Sequence, residues 1–234
     1  MEYIKKNLIF GTSAILLLVN IFVWYAVFMG EDKGILTVAF LDVGQGDAIF
    51  IEAPNGNQVL IDGGPNNSVL RELSEVMPFY DRSIDIVIAT HPDKDHITGL
   101  PAVMNKFKVD VFIESQVQSG SGVYKELNSV ADKEGVKKIM AKRGERIFLG
   151  GDTYIDILSP DRNTKGWETN TASVVVKLVY KNTSFILSGD APKNMEEYIT
   201  SLDGKGLSAN VLKLGHHGSR TSTSEVFLSA VNPE

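Results

Sequence analysis

The sequence predicts an α/β protein: two sheets covered by helices on their outer faces, a layered sandwich preceded by one transmembrane helix. Three observations carry this. An uncharged run of 22 residues, Leu8–Met29, stands ahead of everything else. Behind it, short apolar strand patterns alternate with stretches of helical spacing in both halves of the chain. The composition is that of an ordered chain, 234 residues with 43% hydrophobic and 22% charged. A net charge of −6 speaks against a protein that coats nucleic acid through sheer positive charge. There is no cysteine, which excludes disulfide scaffolds, thiol nucleophiles and Cys-based zinc sites. A transition metal would have to be held by histidine and carboxylate.

Taken in order, Lys5 and Lys6 precede the apolar run and Glu31 and Asp32 follow it. As a helix the run is about 33 Å long, enough for a hydrocarbon core of about 30 Å. The positive-inside rule keeps the N-terminus cytoplasmic and puts everything after Lys33 outside. A cleaved signal peptide has an apolar core of about 7–15 residues ending in small side chains. This run is longer and ends in Trp24, Tyr25, Phe28 and Met29, so an uncleaved anchor over residues 1–33 is expected, ahead of one domain over 34–234.

Ile35–Leu41, Ala48–Glu52 and Gln58–Ile61 read as strands, with Pro54-Asn55-Gly56-Asn57 as a hairpin connection. Ser68–Met77 has helical spacing and is stopped by Pro78. Ile84–Ala89 is a buried-strand pattern that delivers the chain to Thr90-His91; Ile97–Phe107 reads as one helix, Val109–Ile113 as a strand, Tyr124–Lys133 as a helix. The second half is richer in strands: Lys137–Ala141, Arg146–Leu149, Thr153–Leu158, Ser173–Tyr180, Ser184–Leu187 and Val211–Leu214, with helices at Met195–Leu202 and Thr223–Val231. The chain stops at Val231-Asn232-Pro233-Glu234, where such a helix would feed another strand, so a fragment truncated at the C-terminus is expected.

All four histidines fall in two short places, each just after an apolar strand. In Thr90-His91-Pro92-Asp93-Lys94-Asp95-His96, alternate residues of an extended segment project to one side, so that His91, Asp93 and Asp95 can converge with His96 beside them. Hard oxygens mixed with imidazoles make a chelating set; the plainer alternative is a solvated charged loop. In Lys213-Leu214-Gly215-His216-His217-Gly218-Ser219, adjacent histidines cannot point the same way from a strand, so one is expected to ligate and the other to face substrate. Leu187-Ser188-Gly189-Asp190 adds a carboxylate at a strand terminus.

Together these segments resemble the metallo-β-lactamase superfamily. His91-x-Asp93-x-Asp95-His96 is similar to its H-x-H-x-D-H signature, with Asp93 where the second histidine usually stands, and Leu60-Ile61-Asp62-Gly63-Gly64 is similar to its early structural aspartate motif. More narrowly, Leu41-Asp42-Val43-Gly44-Gln45-Gly46-Asp47-Ala48, Asn170-Thr171-Ala172-Ser173, Leu187–Asp190 and Gly215–Ser219 resemble the extracytoplasmic hydrolase domain of ComEC-type competence proteins. The resemblance covers about residues 35–234. It implies an αββα sandwich, a metal-dependent hydrolase, Asp190 as the carboxylate bridging two metals, and His216 as the last histidine ligand. It implies Asn170 in place of the usual third-motif histidine. It also implies a terminal segment with glycine and histidine past Glu234, and it leaves the DNA channel to a separate protein.

On that basis two divalent ions, Mn²⁺ or Zn²⁺, are expected, with His91 and Asp93 on one, Asp95, His96 and His216 on the other, and Asp190 between. The oxygen-rich set tilts the balance toward Mn²⁺. A water shared by two such ions loses a proton near neutral pH and becomes a nucleophile. His217 is the candidate for protonating a leaving oxygen or contacting phosphate, with a buried, backbone-bonded histidine as its alternative. Asp42, Gln45, Asp47, Asp62, Asn170 and Ser173 are expected behind the ligands. The expected activity is a membrane-anchored phosphodiesterase acting on DNA; hydrolysis of another ester or lactone, or an inactive metal-bound module assisting DNA uptake, are the alternatives. For DNA contacts the candidates are Lys138, Lys142 and Arg143, from a stretch with six basic residues in the fourteen positions 133–146. The competing reading of that stretch is an edge strand guarded by lysines.

Overall fold

Helix α1 (Glu2–Met29) takes up the uncharged run. Its Lys5–Tyr25 segment is long and apolar enough to cross a membrane, and none of its apolar window is buried. The computed structural model describes residues 2–29 and 34–234; Glu31, Asp32 and Lys33, the expected outer flank of the anchor, lie outside them. The chain divides into two compact units, Met1–Ile35 and Leu36–Glu234.

In the second unit, β1 (Thr37–Phe40), β2 (Ile49–Glu52), β3 (Gln58–Ile61), β4 (Ser83–Ala89), β5 (Lys108–Glu114) and β6 (Lys137–Met140) form a sheet in that order. The first three strands are antiparallel, whereas β3 through β6 are parallel. Parallel neighbours need crossovers, supplied by α2 (Ser68–Val76), α3 (Lys94–Ile97) with α4 (Leu100–Lys106), and α5 (Gly122–Lys133). The second sheet holds β7 (Arg146–Gly150), β8 (Thr153–Ser159), β9 (Val175–Tyr180), β10 (Thr183–Leu187) and β11 (Val211–Lys213), reading β11-β10-β9-β8-β7 across. Helices α6 (Lys193–Asp203) and α7 (Glu225–Val231) complete it.

Side-chain alternation in the strands builds three cores. Ile49, Ile51, Val59, Ile61 and Ile88 face the second sheet's Ile155, Ile157, Val176, Leu178 and Leu187. The residues between them, Phe50, Leu60 and Val87, turn the other way onto Leu73, Ile97, Leu100, Val103 and Leu127 of the helices. On the far side, Val175 and Ile186 pack on Met195, Ile199, Phe227 and Val231. Both faces of the central strands are therefore buried, which is why they read as near-continuous apolar runs. Each such side chain contributes about 1.5–3 kcal/mol. The αββα sandwich expected from the sequence is the one observed.

The helix expected over Ile97–Phe107 starts only at Leu100, and a separate one-turn helix that the sequence did not announce precedes it. The chain from Asp93 to Phe107 forms α3, a break at Thr98-Gly99, then α4. Gly99 packs against backbone: a Cβ there would lie 2.1 Å from the Gly63 carbonyl oxygen. That contact, with Pro101 in the first turn of α4, ends one helix and starts the next.

The direction of the strands fixes one end of the sandwich. At the C-terminal ends of β3, β4, β10 and β11 the chain runs into Asp62, Thr90-His91, Ser188-Gly189-Asp190 and Gly215-His216. Asp47, just ahead of antiparallel β2, comes to the same end, where its carbonyl accepts from Gly64 N at 2.9 Å. Thr37, where the first strand begins, pairs with Glu52 at the opposite end of β2.

Candidate metal centre

Asp62 organises the floor of this end. It is fully buried in left-handed backbone, φ 61°. Its Oδ1 accepts from Thr90 N at 2.8 Å, and its Oδ2 accepts from Thr90 Oγ1 and from His96 Nδ1, each at 2.7 Å. The single Thr90 hydroxyl proton is spent on Asp62, so Thr90 Oγ1 accepts from His91 Nδ1 at 3.0 Å. One carboxylate thus sets two tautomers, His96 directly and His91 through Thr90. In both rings Nδ1 is bonded toward the floor and Nε2 faces inward, as a lone pair in His91 and, in His96, as the atom whose proton a metal would displace.

The Asp93–His96 segment does not reach the site as an alternating extended strand. Asp93 caps α3, and Asp95 and His96 follow in its first turn. Nor do the adjacent histidines diverge. His216 and His217 form a tight turn with φ 48° and 51°, and this left-handed backbone, unlike a strand, brings both rings to one target. The turn thus brings His217 as near to Asp190 as His216, where a strand would have turned one of them away.

The target is Asp190. Its Oδ1 lies 3.3 Å from His96 Nε2; its Oδ2 lies 3.8, 3.6 and 3.7 Å from Nε2 of His91, His216 and His217. All four histidines of the chain present Nε2 to this carboxylate. Each Nδ1 is engaged by a group other than Asp190: Thr90 for His91, Asp62 for His96, Thr221 Oγ1 at 3.1 Å for His216, and Asp47 Oδ1 at 3.2 Å for His217. Asp95 Oδ2 is 3.4 Å from His217 Nε2, and Asp93 Oδ2 is 3.7 Å from His91 Nε2.

The charge balance calls for a cation. Burial, then the neighbouring His96, pushes His91 down to about 4, leaving it neutral at physiological pH as a ligand must be. Burial also opposes charge on His96, but Asp62 and Asp190 outweigh it and raise that imidazole to about 11. Asp190 is held at about 2 against the effect of burial, chiefly by His96, then His91 and His217. Inside this cluster His91 Nε2, His96 Nε2 and Asp190 Oδ1 are buried without a hydrogen-bond partner, although buried polar groups are ordinarily bonded. Converging, partnerless donor atoms of nitrogen and oxygen type fit a divalent metal.

Asp47 joins the cluster more intimately than its expected place behind it. Ligand atoms of Asp47, His96, Asp190 and His217 all lie within 4.8 Å of one another. Its other oxygen meets Lys213 Nζ at 2.5 Å, a residue sequence reasoning passed over although it closes the strand leading to the histidines. Gly46 lets this segment approach, since a Cβ there would sit 2.1 Å from the Asp95 carbonyl oxygen. Asp42 and Gln45 are exposed, and Asp42 turns its carboxylate back onto Gly44 N at 3.3 Å. Asn170 and Ser173 lie on a short turn fastened to the site by Val174 N donating to Thr90 O at 2.9 Å, and their side-chain oxygens are buried without partners. The same segment carries Glu168, whose carboxylate accepts from Thr171 N at 2.9 Å and from Thr171 Oγ1 at 3.1 Å. No sequence pattern had singled out Glu168.

The basic stretch is largely spoken for. β6 is an edge strand. Lys138 pairs with Asp132 at 2.7 Å, Arg143 grips Asp203 at 2.5 and 2.8 Å and Leu158 O at 2.8 Å, and Arg146 pairs with Asp156 over the Tyr154 ring. Of the three expected DNA contacts only Lys142 stands exposed. Lys138 and Arg143 are thus paired within the chain.

Residues 41–234 match the metallo-beta-lactamase superfamily. The chain belongs to that superfamily. Among curated proteins it is 30% identical over 214 residues to ComE operon protein 3 of Bacillus subtilis, covering 84% of this chain and 27% of that one. It is 30% identical over 200 residues to Recombination protein 2 of Haemophilus influenzae, covering 83% and 23%. The chain thus spans about a quarter of the length of these relatives. Among solved structures, a beta-lactamase from Chitinophaga pinensis superposes with a TM-score of 0.54 at 13% identity, over 83% of this chain and 87% of that one. For this superfamily member the fold, the site at the strand ends and a potential metal-binding group agree.

Proposed function

We propose that residues 34–234 form a metal-dependent phosphodiesterase acting on DNA, anchored by residues 1–33 and working outside the membrane beside a separate channel protein in DNA uptake. The observation that carries the reading is the presentation of four histidine Nε2 atoms and the flanking Asp47, Asp93 and Asp95 around one buried carboxylate, Asp190. The competence and recombination relatives support DNA as the substrate. Helix α1 supports the anchor.

His91 and Asp93 would hold one divalent ion, and His96, Asp95 and the histidine turn the other, with Asp190 between and Asn170 at the rim of the first. Two such ions, Mn²⁺ or Zn²⁺, would supply Lewis acidity toward a phosphoryl oxygen and acidify water near neutral pH. The chain's own part is preparation. Asp62 and Thr90 keep His91 and His96 in the ligating tautomer. Asp47 does the same for His217, with Lys213 balancing the Asp47 charge. This makes His217 a ligand-side group rather than a lone general acid. Bound ions would also move the net charge from −6 to about −2 and make the mouth locally positive. Lys94 at the start of α3, Arg220 on the His216-His217 loop, and Lys142 are exposed cations that would meet phosphates without reading sequence.

The test is to incubate the full chain in detergent with Mn²⁺ and single-stranded DNA, a chromogenic phosphodiester, or a simple ester. Cleavage of DNA and the diester supports the reading. Turnover of the ester alone makes it a general hydrolase, and no turnover leaves a binding module. Protease added to intact spheroplasts should digest residues 34–234; complete protection would reverse the topology.

A further inference from the structure

Glu196 on α6 has no exposed surface, and nothing in the proposed chemistry uses it. Its two oxygens accept from successive backbone groups, Oε1 from Thr223 N at 2.8 Å and Oε2 from Ser224 N at 2.7 Å. Those amides belong to the far limb of the loop that carries His216 and His217. A buried carboxylate is tolerated when its charge is met by such bonds, so the helix and the loop are tied at a fixed distance.

The loop needs a holder. Six non-glycine residues among those described have positive φ, and three of them, His216, His217 and Thr223, are in this loop. Left-handed backbone at residues with a Cβ persists only where the surroundings over-determine it. The remaining ties run the same way: Lys193 N donates to Thr221 O at 3.0 Å, Ser222 Oγ to Ala191 O at 2.8 Å, and Gly215 N to Thr223 Oγ1 at 3.2 Å. A Cβ on Gly215 would lie 2.9 Å from Ser222 Cβ and 3.2 Å from Glu196 Oε1. Helix α6 begins three residues after Asp190. The helix that follows the central carboxylate therefore grips the loop that supplies two of its four histidines.

We propose that Glu196 is a positioning residue: it holds the 215–224 loop in the strained shape that presents His216 and His217 to Asp190, and so tightens metal binding without touching the metal. The proposal rests on the metal-centre reading, and the experiment separates the two. Mn²⁺ affinity of the full chain in detergent is measured by calorimetry, and hydrogen exchange over residues 215–224 by mass spectrometry. Glu196→Gln keeps the side-chain shape but aims an amide NH₂ at one of the two N–H donors. It should weaken Mn²⁺ binding about 10–100-fold, the cost typical of removing a group that orients a ligand, and speed exchange at Thr223 and Ser224. A folded Glu196→Gln protein with parental Mn²⁺ affinity overturns the proposal. Coupling is reciprocal, so in the unaltered protein Mn²⁺ should slow exchange at those two amides. Unchanged exchange there overturns it even if the variant fails to fold. Asp190→Asn is the control: parental Mn²⁺ binding in that variant would sink the metal-centre reading and this proposal with it, whereas its loss beside parental binding in Glu196→Gln would sink the role of Glu196 alone.

Discussion

Asp62→Ala removes the acceptor of three hydrogen bonds at a fully buried position: Thr90 N, Thr90 Oγ1 and His96 Nδ1, at 2.7–2.8 Å. Hydrogen bonds to a charged group contribute about 1.5–3 kcal/mol each. The three share one carboxylate, and the Thr90 hydroxyl can rotate, so the sum overstates the loss. Breaking one partner of a buried charged cluster costs about 3–5 kcal/mol, a large share of a typical stability of about 5–15 kcal/mol. At about 2–4 °C per kcal/mol for a domain of this size, the metal-free Tm should fall by roughly 6–20 °C. Thr90→Val is milder, removing only the hydroxyl. It should cost about 1–2 kcal/mol, yet still weaken Mn²⁺ binding about 10–100-fold, because His91 Nδ1 loses the partner that fixes its tautomer. Thr90→Ser should restore the affinity. Circular dichroism melts without metal and calorimetric Mn²⁺ titrations measure both. Parental affinity in a folded Thr90→Val protein would refute the argument that Asp62 reaches His91 through this hydroxyl.

Asp190→Ala should abolish hydrolysis and cut the metal retained after dialysis, read by elemental analysis, while the circular dichroism spectrum stays native; a fully active variant would remove Asp190 from the centre of the site. Chelation should silence the parent, and added Mn²⁺ should restore it. Arg143→Ala should lower Tm by breaking the tie to Asp203 and Leu158 and leave DNA affinity unchanged, whereas Lys142→Ser should leave Tm unchanged and weaken DNA binding with a shallower salt dependence; the reverse pattern would return Arg143 to the substrate. Asp161 is held at about 2 by the Arg162 guanidinium and the Tyr198 hydroxyl. A depressed carboxyl contributes stability above its ordinary range near pH 4 and loses it as pH falls toward 2, so Asp161→Asn should flatten the metal-free stability curve in that window and nowhere else.

Much of this architecture was legible because the strands are buried on both faces. Runs such as Gln58–Ile61 and Ile84–Ala89 announce themselves, and the chemistry sits where they stop. The histidine clusters were legible for the same reason. What stayed hidden depends on backbone shape or on partners far along the chain. Periodicity cannot see that Gly99 abuts Gly63 and delays α4 to Leu100, or that His216 and His217 turn left-handed and so share a target. Arg143 looks like a free cation in sequence because Asp203 is 60 residues away. Asp47 reads as a supporting residue because nothing local says that antiparallel pairing of β2 with β3 sets the start of β2, and Asp47 just ahead of it, beside Gly64 at the end of β3. Glu196 looks like one more acid on a helical surface until the loop that covers it is in place.

The β1–β2 pairing sets Thr37 against Glu52 and leaves the Ile49 end of the hairpin to the histidines. Thr37 therefore lies at the end of β2 remote from the cluster, about 13 Å of strand away from it. The chain has no cysteine of its own, so a fluorophore on Thr37→Cys would mark that end of the sheet alone and leave the histidine end unlabelled. The same label on the 215–224 loop would stand beside His216 and His217 and their shared target, Asp190.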